Sequence, residues 1–172
     1  NTLTLTGLLP GTYTYYVGVS STQFCQSTQP DRASITFTIL PFSVANDINA
    51  NNVQICLGNN AIIQPSSALT NPVFNWYFTN DYSQPITNGT FSGVTYTISA
   101  TGQLTISGLA TLGSPYTYYV SMSNDVSCQN VAGTLKAITV QVNETLTPST
   151  NDTTQDFCQS SSPTVSSLQV NE

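Results

Sequence analysis

Residues 116–123 read YTYYVSMS, and residues 13–20 read YTYYVGVS. In the first stretch Tyr118, Val120 and Met122 occupy every second position, and the second stretch keeps the same spacing. Large apolar residues at alternate positions indicate a β-strand with one buried face. The chain therefore contains two copies of one strand, and this repetition decides how the rest of the sequence is interpreted.

The repetition extends on both sides of this strand. Further pairs of similar residues lie at a nearly constant separation: Leu3 and Leu104, Leu5 and Ile106, Gly7 and Gly108, Cys25 and Cys128, and Cys56 and Cys158. The two cysteine pairs are 103 and 102 residues apart, which is the length of one small domain. We therefore predict a section of a tandem array: residues 1–42 are the C-terminal part of one repeat, residues 43–143 a complete repeat, and residues 144–172 the N-terminal part of the next.

The complete repeat is predicted to be all-β. No stretch keeps a helical period, and alternation indicates seven antiparallel strands, near residues 60–66, 73–79, 86–91, 94–99, 103–108, 116–123 and 135–142. Seven short strands within about 100 residues, with a Trp on an early strand, are typical of an immunoglobulin-like β-sandwich. We expect Trp76 at the centre of the core and Tyr116 or Tyr118 as a tyrosine corner. We interpret residues 40–52 and 143–155 as short linkers between repeats.

The composition excludes several functions. Arg32 and Lys136 are the only basic residues against eight acidic ones, and the net charge of −6 argues against binding to nucleic acid or to anionic membranes. Because the chain has no His, it cannot form a Ser-His-Asp or Cys-His nucleophile. The carboxylates fall in predicted loops, and no Gly-rich phosphate loop is present. We therefore expect no enzymatic activity, no cofactor and no membrane insertion.

The order of the motifs resembles a known family. Cys56-x-Gly58 is followed by Trp76-Tyr77, by Tyr118-Tyr119-Val120, by Cys128 and by a last strand, AITVQV. This order is similar to that of the Ig-like repeats of giant Bacteroidota cell-surface proteins, including gliding-motility adhesins exported by the type IX secretion system. The resemblance implies an extracellular structural or adhesive module rather than a catalyst. The chain departs from the family at Gln129-Asn130, where a basic residue usually follows the second cysteine.

The four cysteines lack the spacing of a zinc site, and we interpret them as disulfide-forming residues in an oxidising compartment. The resemblance implies a Cys56–Cys128 bond within the repeat. However, the second and sixth strands of an Ig sandwich run parallel, so these two cysteines should lie at opposite ends, whereas a disulfide requires Cα atoms within about 7 Å. Either the chain before the second strand runs back along the sandwich, or the pairing is Cys25–Cys56 with Cys128–Cys158, in which each bond joins one repeat to the next. We keep the Cys56–Cys128 bond as our prediction.

Two further kinds of site rest on short motifs. Asp152-Thr153-Thr154 resembles the O-glycosylation triplet of Bacteroidota, in which Thr153 would be the acceptor. Oxygen ligands for Ca²⁺ could come from Asp47 with Asn46 and Asn49, or from Asp152 with Asp156. The two sets lie at different distances from their cysteines, so the repeat does not preserve such a site. Ordinary linker polarity is the favoured interpretation, and we predict no metal site.

Three functions follow from this organisation. The first is a stiff spacer, with a possible adhesive surface, in a large extracellular surface protein whose partners are the neighbouring repeats. The alternative is a carbohydrate-binding module, in which the outward-facing Tyr16, Tyr77 and Tyr119 stack on the sugar rings of a surface polysaccharide or glycan. The third, ranked last, is a filament whose incomplete ends are completed by neighbouring molecules.

Overall fold

The computed structural model describes residues 2–28, 32–147, 149–150, 156–162 and 170–171. These residues form short strands with two single-turn 3₁₀ segments, Ala45–Asp47 and Gln159–Ser161. The strands are β1 (Gly11–Val17), β2 (Ala33–Ile39), β3 (Val53–Cys56), β4 (Ala61–Ile63), β5 (Val73–Tyr77), β6 (Gly89–Phe91), β7 (Val94–Ile98), β8 (Leu104–Ser107), β9 (Tyr116–Ser123), β10 (Lys136–Asn143), β11 (Ser149–Thr150) and β12 (Val170–Asn171).

Strands β3 to β10 form two sheets of four strands each. Their orders are β3-β10-β9-β5 and β4-β8-β7-β6, which correspond to the two sheets of an immunoglobulin-like sandwich. The prediction of an all-β, Ig-like fold is therefore confirmed. The expectation that every pair is antiparallel was wrong at one edge, because β3 runs parallel to β10. Strand β3 was not predicted, since its four residues are too few to display a clear alternation.

Trp76 lies at the centre of the core, as predicted. Its side chain is 1% exposed, and its indole Nε1 donates a hydrogen bond of 2.8 Å to the carbonyl of Gly102. Gly102 has a φ of +78°, and a Cβ at this position would lie 2.8 Å from the Cβ of Phe74. A glycine is therefore required where the β7–β8 turn approaches the Trp-bearing strand. Around the indole, alternate residues of the central strands are fully buried: Leu104, Ile106, Val120, Met122, Ile138 and Val140.

The chain crosses from one sheet to the other between β5 and β6. Phe78 donates its N–H to the carbonyl of Gln84 at 2.9 Å, and Ile86 donates its N–H to the carbonyl of Trp76 at 2.8 Å. Three residues after Ile86, at Gly89, the chain begins to pair with β7 of the opposite sheet. The strand predicted at residues 86–91 is therefore divided between the two sheets.

Residues 43–52 pack against the sandwich, so their interpretation as a linker was wrong. Ile48 is 2% exposed within the core, and Asn49 exchanges two backbone hydrogen bonds with Ser66 at 2.8 and 2.9 Å. Ser43 is also buried and forms a 2.6 Å hydroxyl hydrogen bond with Ser127. Only a few apolar residues of this segment enter the core, and for this reason its sequence displays no regular alternation of apolar and polar residues. Of the second predicted linker, residues 148 and 151–155 lie outside the described residues.

Strands β1 and β2 form a separate two-stranded sheet with the register of β9 and β10. Tyr13 lies opposite Phe37, and Tyr116 opposite Val140. The other four shared pairs also match after a shift of 103 residues: Thr14–Thr36 and Thr117–Thr139, Tyr15–Ile35 and Tyr118–Ile138, Tyr16–Ser34 and Tyr119–Ala137, and Val17–Ala33 and Val120–Lys136. The two hairpins therefore have equal loop lengths and identical pairing. The boundaries assigned to the three repeats remain predictions.

The two hairpins differ in how well their equivalent faces are covered. Val120 and Ile138 are 0% and 1% exposed, because the second sheet packs on them. Their counterparts Val17 and Ile35 are 49% and 57% exposed. A face with the sequence pattern of a core therefore remains largely open in the first hairpin.

A tyrosine corner is present at Tyr116, one of the two residues expected to form it. The Tyr116 hydroxyl donates to the carbonyl of Leu112, four residues upstream, at 2.8 Å. Tyr13 makes the same bond to the carbonyl of Leu9, also at 2.8 Å. The corner is thus a second local feature that the two hairpins share.

Candidate functional site

Cys128 lies in the β9–β10 loop, beside the point at which the chain enters the sandwich. Its N–H donates to the carbonyl of Pro41, and its carbonyl accepts from the N–H of Ser43, both at 2.8 Å. Cys128 and Phe42 therefore form a parallel β-bridge. The thiol is exposed.

Cys56 lies at the other end, beside the point at which the chain leaves the sandwich. It is the last residue of β3 and pairs with Asn143, the last residue of β10. The N–H of Leu57 donates to the carbonyl of Asn143 at 2.8 Å, and this bond holds the C-terminal ends of β3 and β10 together. This thiol is exposed as well.

The Cys56–Cys128 bond that the resemblance implied is not formed. All four cysteines fall within the described residues and are free and exposed. Cys56 pairs with the end of β10, whereas Cys128 precedes its start, and an eight-residue strand spans about 23 Å. This separation far exceeds the Cα distance of a disulfide, which bears out the geometric objection. The alternative pairs, Cys25–Cys56 and Cys128–Cys158, are not formed either.

Polar side chains hold the loop that carries Cys128. The side-chain amide of Gln129 donates to the hydroxyls of Tyr77 and Ser121, at 2.9 and 2.7 Å. The side-chain oxygen of the buried Asn130 accepts from the N–H of Met122 at 2.9 Å. Two amides thus bind the loop to β5 and β9, and they hold Cys128 in place.

Tyrosines form a patch on the outer face of the β3-β10-β9-β5 sheet. Tyr77 and Tyr119 are direct cross-strand neighbours and are half-buried. Tyr82 packs against Tyr77 edge to face with ring centroids 5.0 Å apart, and its hydroxyl donates to the carbonyl of Asn130. We call Tyr77, Tyr82 and Tyr119 the tyrosine patch. Tyr16, the third predicted residue, is 59% exposed on the first hairpin.

Sequence reasoning missed Tyr82 because it follows β5 in a turn. Its φ of +68° lies in the left-handed region, which alternation along a strand does not predict. A surface cavity of about 520 Å³ opens nearby, where the chain crosses between the sheets. Its lining includes the aromatic side chains of Phe78, of the buried Tyr96 and of Phe91, which is 65% exposed.

Three ionisable groups among the described residues have shifted pKa values. Burial, with a smaller effect of Tyr77, raises the pKa of Tyr82. Hydrogen bonds from the hydroxyls of Ser83 and Thr79 lower the pKa of the exposed Asp81 carboxyl to about 2. Burial, together with the Tyr96 hydroxyl 3.5 Å away, raises the pKa of Tyr118 above its ordinary value. At neutral pH Asp81 is therefore held as a carboxylate and Tyr118 as a neutral phenol, and the lowered pKa of Asp81 favours the folded state.

The residues considered as oxygen ligands for Ca²⁺ do not form a metal site among the described residues, where Asp156 is exposed. The Asp47 carboxylate accepts a hydrogen bond of 2.8 Å from the N–H of Val44, which caps the adjacent 3₁₀ turn. Asp152 and the glycosylation candidate Thr153 lie outside the described residues. Across the described ranges, no three residues among His, Cys, Asp and Glu cluster as a metal site would require.

In the part of the chain that the structure describes, no helix has the length and apolar character needed to cross a bilayer.

Searches against protein-family models and against curated proteins return no match. Among solved structures, extracellular domains 3–5 of Drosophila OTK share 12% identity with a TM-score of 0.48, over 77% of this chain and 40% of that one. Murine CEACAM1b shares 16% identity with a TM-score of 0.42, over 79% and 59% of the two chains. The first Ig-like domain of human CD48 shares 18% identity with a TM-score of 0.40, over 56% and 85%. Our assignment of the fold rests on the sheet order itself.

Proposed function

We propose that this chain is a section of a tandem array of Ig-like units that acts as a stiff spacer, with a possible adhesive surface, in a large extracellular protein. The observation that carries the proposal is the shared register of the two hairpins at a separation of 103 residues. The exposure of Val17 and Ile35 supports it, because these residues would be buried if the first hairpin belonged to another complete unit. The proposed partners are therefore the neighbouring units of the same chain.

The proposed setting is the cell surface of a Bacteroidota species, in a protein of the class that includes gliding-motility adhesins and is exported by the type IX system. The support is the motif order described above. The low content of charged residues, 6% of the chain, fits a surface kept soluble by hydroxyl and amide side chains. On this proposal Thr153 is an O-glycosylation acceptor, and the array has no catalytic role.

Small-angle scattering tests the spacer proposal. The test chain joins residues 1–142 directly to residues 40–172. Leu40 then follows Val142 in the test chain, just as it follows Ile39 in the native chain. We call it the two-sandwich chain. Units stacked end to end should increase the maximum dimension over that of the native chain by at least the length of an eight-residue strand, about 23 Å. An increase well below this value would mean side-by-side packing and would contradict a spacer.

A second candidate function is carbohydrate binding at the tyrosine patch. The specific observation is that Tyr77 and Tyr119 lie side by side on an outer sheet face, where aromatic rings can stack on sugar rings. The side-chain amide of Gln129 donates a hydrogen bond of 2.9 Å to the Tyr77 hydroxyl. It adds a polar group at the edge of the patch. On this proposal the ligand is a neutral glycan, since the described patch residues carry no charge.

A glycan array probed with the full chain tests this second function. Tyr119→Ala should abolish any signal, whereas Tyr77→Phe keeps the aromatic ring and should retain most of it. Leu112→Ala, at a side chain that is 88% exposed and outside the patch, is the matched control. The absence of any signal from the native chain, or a signal that Tyr119→Ala leaves intact, would remove carbohydrate binding at this patch.

A further inference from the structure

The two cysteines of the sandwich mark the two points where the chain passes from one unit to the next. Cys128 is bridged to Phe42, where the chain enters. Cys56 is paired with Asn143, where the chain leaves. Each thiol is exposed, and backbone hydrogen bonds to the adjoining chain hold each in place. The sandwich therefore carries one exposed cysteine where the chain enters it and one where the chain leaves it.

The repeat brings these two positions close together across a junction. The end of the first hairpin, Ile39, corresponds to Val142, so Phe42 corresponds to Thr145. In a following unit, the equivalent of Cys128 would lie beside Thr145, while Cys56 of the present unit lies beside Asn143. Two residues of extended chain span about 7 Å. This distance is comparable to the Cα separation of a disulfide, about 4.4–6.8 Å.

We propose that each junction is closed by a disulfide between the Cys56 position of one unit and the Cys128 position of the next. The inference rests on the proposed tandem array. It assigns Cys25 and Cys128 to bonds with a preceding unit, and Cys56 and Cys158 to bonds with a following unit. No junction within residues 1–172 contains both positions, which explains why all four thiols are free in this chain.

The chemistry is a two-electron oxidation. Each pair of thiols loses two protons and two electrons as the S–S bond forms, and a disulfide oxidant, such as a thiol–disulfide oxidoreductase of an oxidising compartment, is reduced to two thiols. The new bond runs beside the peptide linker, so the junction has two covalent connections instead of one. Bending between units is then restricted, and tension is shared between the linker and the disulfide.

The two-sandwich chain provides a direct test. One version keeps only Cys56 of the first sandwich and Cys128 of the second, with every other cysteine replaced by Ser. The matched control keeps only Cys128 of the first and Cys56 of the second. After oxidation with glutathione disulfide, the first version should lose all thiol reactivity towards iodoacetamide and yield one cross-linked peptide, whereas the control should keep both thiols reactive. Free thiols in the first version, or a bond in the control, would overturn the inference.

Scattering from the same two chains separates the inference from the proposed function. If the sandwiches are end to end and the first version keeps free thiols, the junction disulfide is wrong and the spacer stands. If they pack side by side, the spacer is wrong whatever the thiols do. The native chain gives an independent check that needs no fusion: after the same oxidation at low protein concentration, its four thiols should all remain reactive, and any intrachain disulfide would contradict the assignment.

Discussion

Trp76 shows how one residue links the two sheets. Its ring fills the space between them, and its indole N–H satisfies the carbonyl of Gly102 in the β7–β8 turn. Replacing the ring therefore removes both volume and a buried hydrogen bond. A carbonyl left unpaired in the core adds to the cost of the cavity.

We expect Trp76→Phe to lower the free energy of unfolding by about 2–4 kcal/mol. Urea denaturation followed by far-UV circular dichroism measures the change. Leu112→Ala, at a side chain 88% exposed, should change it by less than about 0.5 kcal/mol. Equal small effects of the two substitutions would show that residue 76 is not at the centre of the core.

Tyr118 makes stability depend on pH in the alkaline range. Burial raises its pKa in the folded state, so the phenol stays neutral when folded but ionises when unfolded above about pH 10. The stabilisation is therefore complete below that pH and is lost as the pH rises. In Tyr118→Phe the unfolding free energy should decline less steeply above about pH 10, as urea midpoints would reveal. Phe78→Leu alters the same aromatic cluster without removing an ionisable group and should keep the native slope.

At the scale of elements, the segment before β3 behaves as part of the sandwich. Ile48 is 2% exposed and Val44, four residues earlier, is 53% exposed. We expect Ile48→Ala to cost about 2–4 kcal/mol and Val44→Ala less than about 0.5 kcal/mol, measured by thermal or urea unfolding. If Ile48→Ala were tolerated as well as Val44→Ala, the segment would be a free linker after all.

Long alternating strands could be predicted from the sequence, and short edge strands could not. β5 and β9 display their buried faces over five and eight residues, and the periodicity located both. β3 has four residues, and its pairing with β10 is a long-range contact that no local pattern encodes. The same contact decides where Cys56 lies. The cysteine pairing could therefore not be settled before the register was known, although the parallel-strand argument already spoke against the bond within the unit that we predicted.

The tyrosine patch was foreseen in part for the same reason. Tyr77 and Tyr119 were assigned to outward faces by alternation, and the structure adds that they are adjacent. Tyr82 reaches the patch through a left-handed turn residue, which depends on tertiary packing. Side chains on regular strands can thus be assigned to a face from sequence, whereas those on turns require the coordinates.

At the scale of the whole molecule, the described residues include a two-sheet sandwich and a largely uncovered hairpin that repeats the register of the sandwich's last two strands. The two hairpins share their register and their tyrosine corners, but one is covered by a second sheet and the other is largely open. The two hairpins thus have the same strand pairing, but only the β9–β10 hairpin is covered by a second sheet, so they can be compared within one molecule. The comparison separates what strand pairing contributes to stability from what the opposing sheet contributes.

Amide hydrogen exchange on the full 172-residue chain tests this description most directly. Backbone amides of β9 and β10 should exchange only on global unfolding of the sandwich, whereas the equivalent amides of β1 and β2 should exchange at least about 100-fold faster, because local opening there exposes little additional apolar surface. Equal protection of the two hairpins would contradict the account, since it would mean that the first hairpin is already part of a closed core.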